Sequence, residues 1–402
     1  MTSTGDKTKV TFANLRANKT VLPLVAIGGS RGKSTVSAML NNIIAASGGS
    51  VAAWITSGVY LDGQRLEGEL RPWSRVLLAA KYGEIDVVIQ ELEAAVVVGA
   101  GLPARTYPLA ILTTICGNDE SCRLSMSTEL EERSIQAIVD AVREDGCVVA
   151  NADDLSVVYA AQSSSSRCVM FALHRDNPVL QRHLDAGYDA VWLVDGTVVY
   201  GDRDGFRPIV DAAEIRATLD GSFIFQVQNA MAAAALAIHI GISPRVIANA
   251  LRSFSPDTEA QPGACNILCV NGARVVVDSP MQTWTLKMLA RGIKHQPHRR
   301  SFVVSTCFPN LTTEDAREVG RIIGGLGGVI ILHVEGSEQQ HLAAVKSGIA
   351  LNPVPPLVMV LSTEDAAIER LQSTLGHGDT ALVLTEHPQE AIAQIATSHS
   401  DA

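Results

Sequence analysis

The stretch VLPLVAIGGSRGKSTVSAMLNNII, residues 21–44, sets the strongest limit on how this chain can fold. An apolar, β-branched run meets a Gly/Ser turn, and a run of helical period follows at once, so a strand, a glycine loop and a helix N-terminus share one segment. That order gathers backbone N–H groups and the positive end of a helix dipole at one point, which makes an anion site. Gly29 and Gly32 let the backbone turn around phosphate, with Ser30 and Arg31 between them. Lys33 reaches β/γ oxygens, and the hydroxyl of Ser34 or Thr35 faces Mg2+. The spacing is G-x-x-G-K-S-T and not the strict G-x-x-x-x-G-K-[ST], because Ile27 stands five residues before Gly32. A plain Gly/Ser turn with an exposed lysine needs no such joint presence of strand, glycines, lysine and two hydroxyls. Arg31 either contacts phosphate or is solvated.

The same alternation runs through the whole chain. Apolar runs predict strands at 21–27, 86–89, 109–113, 148–150, 190–193, 274–277, 302–304, 329–332, 357–360 and 380–384, separated by Ala/Leu-rich helical stretches. This pattern predicts an α/β fold, a mostly parallel sheet with helices on both faces. AMAAAALAIHI, residues 230–240, is a strong helix, and a second follows Gly241 at 244–253. The polar SPDTEAQPGA that comes next reads as a linker. The expected division is therefore a P-loop domain at 1–256 and a smaller Rossmann-like domain at 257–402. SSSS at 163–166 and the Asp/Gly-rich 202–205 read as solvated loops.

Composition narrows the function. The 42 acidic residues outnumber 32 basic ones, for a net charge of −10, and no basic block exists to neutralise a phosphate backbone, so nucleic acid is excluded as the main partner. No apolar stretch is long enough to span a membrane, and the first residues lack a signal-peptide core. The expectation is a soluble cytoplasmic protein with no membrane partner. The seven cysteines are scattered without a C-x-x-C pair and read mostly as reduced, buried thiols. The histidines form no H-E-x-x-H or Cys/His metal spacing, and no G-x-S-x-G elbow is present. The basic turn KHQPHRR at 294–300 reads as a solvated loop, with contact to an acidic substrate as the alternative. The four tryptophans read as packing residues, and substrate contact at Trp73 stays open.

The loop, with the runs that follow it, resembles the Mur ligase superfamily, most closely the Mur-type ligase half of cyanophycin synthetase. The resembling runs are TSGVYLDGQRLEGELRPWSRVLL, IDVVIQELEAAVVVGAGL, DGCVVANADD, LDGSFIFQVQNAMAAAALAIHIGIS, PGACNILCVNGARVVVDSP and TEDAREVGRIIG, in the family's order across roughly residues 20–395. GSRGKST is also similar to the loop of poly-γ-glutamate synthetases. The resemblance implies ATP- and Mg2+-dependent amide-bond formation through an acyl phosphate, with an amino acid or short peptide as substrate. It implies Glu91 as the Mg2+ ligand, with Glu93 a rival, and Asn229 near the nucleotide, with a plain helix cap as its alternative. Asp278 is implied at the ribose or the incoming amine.

Four departures stand against that pattern. The family's Asn and Asp-His after strand 109–113 are replaced in TTICGNDESC by Thr114, Asn118 and Asp119, so a histidine is lost while Asp119 stays a candidate ligand. Asp-Tyr-Gly/Ala-His-Asn has become Asp278-Ser279-Pro280-Met281-Gln282. Gly-Asp-Arg-Arg has become Pro309-Asn310-Leu311-Thr312, and Pro-Gly-Arg has become Pro262-Gly263-Ala264. No lysine occurs between Lys81 and Lys287, so the carbamoylated lysine of many Mur ligases has no counterpart there. About 20 residues precede the first strand, so neither a UDP-sugar-binding domain nor an ATP-grasp half is expected. Two functions fit these features: an ATP-dependent acid–amino-acid ligase, acting alone or as a homo-oligomer, or a degenerate subunit that binds nucleotide or peptide beside a partner ligase.

Overall fold

The computed structural model describes residues 21–67, 70–116, 126–279, 282–307, 311–334 and 339–397. The chain forms two compact units, one of residues 1–221 with 225–254 and the other of 222–224 with 255–402.

The first unit is built on an 11-stranded sheet. Its chain runs β1 (Leu24–Gly28), α1 (Lys33–Ala46), β2 (Val51–Ile55), β3 (Gly58–Leu61), β4 (Gln64–Leu66), α2 (Leu70–Lys81), β5 (Val87–Glu91) and α3 (Ala94–Ala100). It continues through β6 (Tyr107–Leu112), α4 (Met126–Ala141), β7 (Val142–Asn151), α5 (Leu155–Gln162), β8 (Arg167–His174), α6 (Pro178–Asp185), β9 (Ala190–Val194), β10 (Thr197–Gly201) and β11 (Phe206–Asp211). Helices α7 (Ile224–His239) and α8 (Pro244–Ser253) close the unit.

The spatial order is β11-β10-β9-β8-β7-β6-β1-β5-β2-β3-β4. The strands from β9 through β2 are parallel, and antiparallel hairpins finish both edges. β1 is wholly buried and shows why an apolar run suits a doubly covered strand. Val25 and Ile27 join a core with Val36, Met39 and Leu40 of α1 and the alanines of α7. Leu24 and Ala26 join the opposite core with Ala110, Leu112 and Ile138. In α7, residues 230–237 are at most 1% exposed, because a face of methyl groups lets the helix lie close to its neighbours.

The second unit has the six-stranded order β12-β13-β17-β14-β15-β16. Its elements are β12 (Asn266–Val270), β13 (Ala273–Asp278), α9 (Thr283–His295), β14 (Ser301–Ser305), α10 (Thr313–Gly324), β15 (Val329–His333), α11 (Gln339–Ile349), β16 (Leu357–Leu361), α12 (Glu364–Thr374), β17 (Thr380–Leu384) and α13 (Pro388–Thr397). Among the described strands of this unit, only β12 pairs antiparallel.

The α/β architecture expected from the sequence is present, and every strand expected from apolar runs has its counterpart. The strands not anticipated are β2, β3, β4, β8, β10, β11 and β12. Several are hairpin arms with exposed polar residues, such as Gln64, Arg65 and Arg207, which break an apolar run. Among the described residues, Cys147, Cys168, Cys265, Cys269 and Cys307 stand outside any disulfide, with Cys269 exposed, while Cys116 is disulfide-bonded. Burial pushes the Cys168 thiol up to about 12 and that of Cys147 further still. In the basic turn, Arg300 is committed to Asp379, a wholly buried carboxylate held below its ordinary range by that guanidinium. Among the described residues, no helix is long and apolar enough to cross a membrane.

Candidate active site

β1 sits between β5 and β6, the point at which the order of the central strands reverses, and all three run parallel. Their carboxyl ends therefore open at one edge of the sheet, the place where such folds receive ligands. From β1 comes the loop Gly29–Gly32 and then α1, from β5 comes Glu91, and from β6 come Thr113 and Thr114.

The loop glycines are required by backbone shape and close approach. Gly29 has φ +130°, and a Cβ there would lie 2.1 Å from the Thr113 hydroxyl oxygen. Gly32 has φ +88°, and a Cβ there would lie 2.3 Å from Oδ1 of Asn229. Both positions exclude a side chain. The Ser30 N–H donates to the Thr114 carbonyl at 2.8 Å, and the Thr113 hydroxyl donates to the carbonyls of Gly28 and Arg31 at 3.1 and 2.6 Å. Arg31 forms an isolated bridge with Thr114.

Lys33 is 8% exposed; its ammonium donates to the Gly29 carbonyl at 2.8 Å and pairs with Glu93 at 3.3 Å. The two rival glutamates thus take different partners. Oε2 of Glu91 accepts from the Ser34 hydroxyl at 2.9 Å and from the N–H and hydroxyl of Thr56 at 3.2 and 3.1 Å. Oε1 of Glu91 is buried with no hydrogen-bond partner. Burial pushes the Glu91 carboxyl above its ordinary value, and the hydroxyls of Ser34 and Thr56 with the Lys33 charge oppose this. A buried carboxylate oxygen left open beside a serine hydroxyl fits a hard divalent cation that takes oxygen ligands. Of the two candidate hydroxyls, Ser34 is the one on Glu91, while Thr35 is buried in α1.

Asn229 lies in the second turn of α7 and not at its start, which removes the helix-cap alternative. It is 8% exposed, and its amide donates to Gln226 at 2.9 Å beside Gly32. Asp278 ends β13 in the second unit at 1% exposure. There Oδ2 accepts from the Cys265 thiol at 2.9 Å and Oδ1 from the Ser279 N–H at 2.8 Å. Asp119 lies outside the described residues, as do Asn118, Pro280, Met281, Pro309 and Asn310. Trp73 packs on Trp54 with ring centroids 5.0 Å apart, as packing residues do.

Sequence reasoning missed Thr56, Glu131, Asp153 and Asp154. Glu131 of α4 is pushed up by burial, an effect opposed by the Lys33 charge and reinforced by Glu93, so it belongs to the electrostatic surroundings of the loop lysine. Its position in an ordinary amphipathic helix carries no signal. Asp153 and Asp154 did carry one, since paired carboxylates stand three and four residues past the end of a predicted strand.

The fold and this loop define the class: a P-loop α/β chain with the fold of the Mur ligase superfamily. It matches FolC of E. coli, solved with DHPP and ADP, with a TM-score of 0.63 at 16% identity over 99% of this chain and 94% of that one. It matches MurF of Acinetobacter baumannii with a TM-score of 0.65 at 15% identity over 97% and 79%. In sequence, the chain is similar to cyanophycin synthetase of Synechocystis sp., with 24% identity over 258 residues, or 64% of this chain. That match spans 30% of the length of the curated relative. No family model matches the chain.

Proposed function

We propose that this chain is an ATP- and Mg2+-dependent ligase that joins an amino acid or amine to the carboxylate of an amino acid or short peptide. The observation that carries the reading is the junction of Lys33, Ser34 and Glu91 at the phosphate loop, with one Glu91 oxygen buried and open. The similarity to cyanophycin synthetase supports it.

In this reading the loop amides and Lys33 hold the phosphates of ATP, with Asn229 alongside and Arg31 at the loop rim. Ser34 and Glu91 hold Mg2+, which supplies charge neutralisation at the phosphate oxygens. Among the described residues, no group of three or more His, Cys, Asp or Glu side chains is gathered for a metal. A site of one serine and one carboxylate suits a cation that draws its other ligands from phosphate and water. The substrate carboxylate attacks the γ-phosphorus as the bond to ADP breaks. The amine then attacks the acyl carbon, loses a proton and displaces phosphate. Phosphoryl transfer of this kind asks the protein for positioning and charge more than for covalent help.

Calorimetric titration with MgATP tests the reading. Binding that weakens about 100-fold in Lys33→Ala, the size expected for a buried charge-assisted contact, supports it. The Glu91→Gln variant is expected to lose carboxylate-dependent ADP release while remaining folded. A native chain that takes up no ATP at millimolar concentration overturns the proposal.

A further inference from the structure

We infer that the adjacent aspartates Asp153 and Asp154 are positioning residues, one for each wall of the phosphate-loop site. This inference rests on the nucleotide-binding reading above, but its structural part can be measured without nucleotide.

Asp154 is 2% exposed and starts α5, where Oδ1 accepts from the Ser156 N–H at 3.1 Å. A helix cap needs no more than that one oxygen. Its Oδ2, however, accepts from three donors of a distant segment: the Thr114 hydroxyl at 2.7 Å and the N–H groups of Ile115 and Cys116 at 2.8 and 3.2 Å. Residues 114–116 are the wall against which the phosphate loop rests. The Ser30 N–H donates to the Thr114 carbonyl, and the Ser30 hydroxyl donates to the carbonyls of Thr114 and Ile115. The carboxylate therefore fixes 114–116, and 114–116 fixes Ser30. Thr114 stands where the resemblance expects asparagine, and its hydroxyl is spent on this contact.

Asp153 works in the other direction. Its Oδ2 accepts from the Leu173 N–H at 2.8 Å and from the side-chain amide of Gln228 at 3.0 Å, and Oδ1 accepts from Asn177 at 3.0 Å. Gln228 precedes Asn229 on α7, and Asn229 is the group that leaves room only for glycine at position 32. One two-residue turn after β7 thus braces the loop from the β6 side through Asp154 and from the α7 side through Asp153. Only a carboxylate offers acceptors on both oxygens, which explains why Asp154 is not one of the neutral capping residues.

The informative variant is Asp154→Ser. Serine is a good helix cap but has no second oxygen for residues 114–116, so it separates capping from bracing. In the full chain, Asp154→Ser is expected to weaken MgATP binding at least 10-fold, to speed amide hydrogen exchange at Ser30, Ile115 and Cys116, and to lower the melting temperature, because the buried N–H groups of Ile115 and Cys116 lose this acceptor. Thr114→Val should show the same signature at about 3-fold. Gln228→Ala should weaken binding about 3-fold without touching exchange at Ser30. Native affinity and native Ser30 exchange in both Asp154→Ser and Thr114→Val overturn the inference. If Asp154→Ser does not fold, Thr114→Val and Gln228→Ala decide it by the same criteria. If the native chain binds no MgATP, the ligase reading falls, and the brace stands or falls on exchange at Ser30 alone.

Discussion

Glu91 and Asp278 are both carboxylates at the carboxyl ends of parallel-sheet strands, one in each unit, and they are satisfied in opposite ways. Asp278 has a donor on each oxygen, from Cys265 and Ser279 of its own unit. Glu91 has three donors crowded on one oxygen and none on the other. A buried polar atom without a partner costs free energy, so such an atom persists where something else answers it. The contrast teaches that position at a strand end does not by itself leave a carboxylate oxygen open; the disposition of its donors does.

The sharpest way to break this contrast is to displace the loop that faces Glu91. Gly32→Ala places a Cβ at φ +88°, 2.3 Å from the Asn229 oxygen, and is expected to cost about 1–3 kcal/mol in strain. MgATP affinity should drop more than 10-fold by calorimetry; native affinity would mean that the loop does not hold phosphate. The next largest effect belongs to Asp278→Ala, which takes a buried acceptor from the Cys265 thiol while the Ser279 N–H keeps the Gly263 carbonyl at 3.1 Å, and should cost about 1–3 kcal/mol in a urea titration. Unchanged stability together with lost turnover would instead mean that Asp278 faces substrate, and the contrast with Glu91 would collapse.

The smallest effect is a pH dependence. The folded value of Glu91 is raised by burial, so protonation favours the folded state: this contribution is full below the ordinary carboxylate value of 4.5 and is lost as pH rises through the raised one. The melting temperature of the native chain, followed from pH 7 downward without divalent cation, should therefore rise relative to that of Glu91→Gln. Saturating Mg2+ should flatten the difference, because a cation on Glu91 competes with the proton. Parallel curves for the two chains would remove burial as the governing feature of this carboxylate.

Much of the frame was legible in residue pattern. β1, the loop and α1 lie in one continuous segment, so local periodicity and two glycines suffice to place them. The parallel strands were legible because burial on both faces demands unbroken apolar runs, and the hairpin strands were not, because one exposed face admits polar residues. Within the site, Gly29, Gly32 and Lys33 could be read as a unit, while Glu91 and Glu93 could not be told apart. They stand two residues apart beside the loop, and only the turn after β5 sends one to Ser34 and the other to Lys33.

The sequence by itself determined the α/β alternation and the phosphate-loop motif, since both follow from interactions between near neighbours along the chain. The tertiary structure alone decided that Ser34 and not Thr35 meets Glu91, that Asn229 closes on Gly32, and that Asp154 reaches residues some 40 positions away. Those pairings depend on strand register, where a slip of one residue turns every side chain to the opposite face of the sheet.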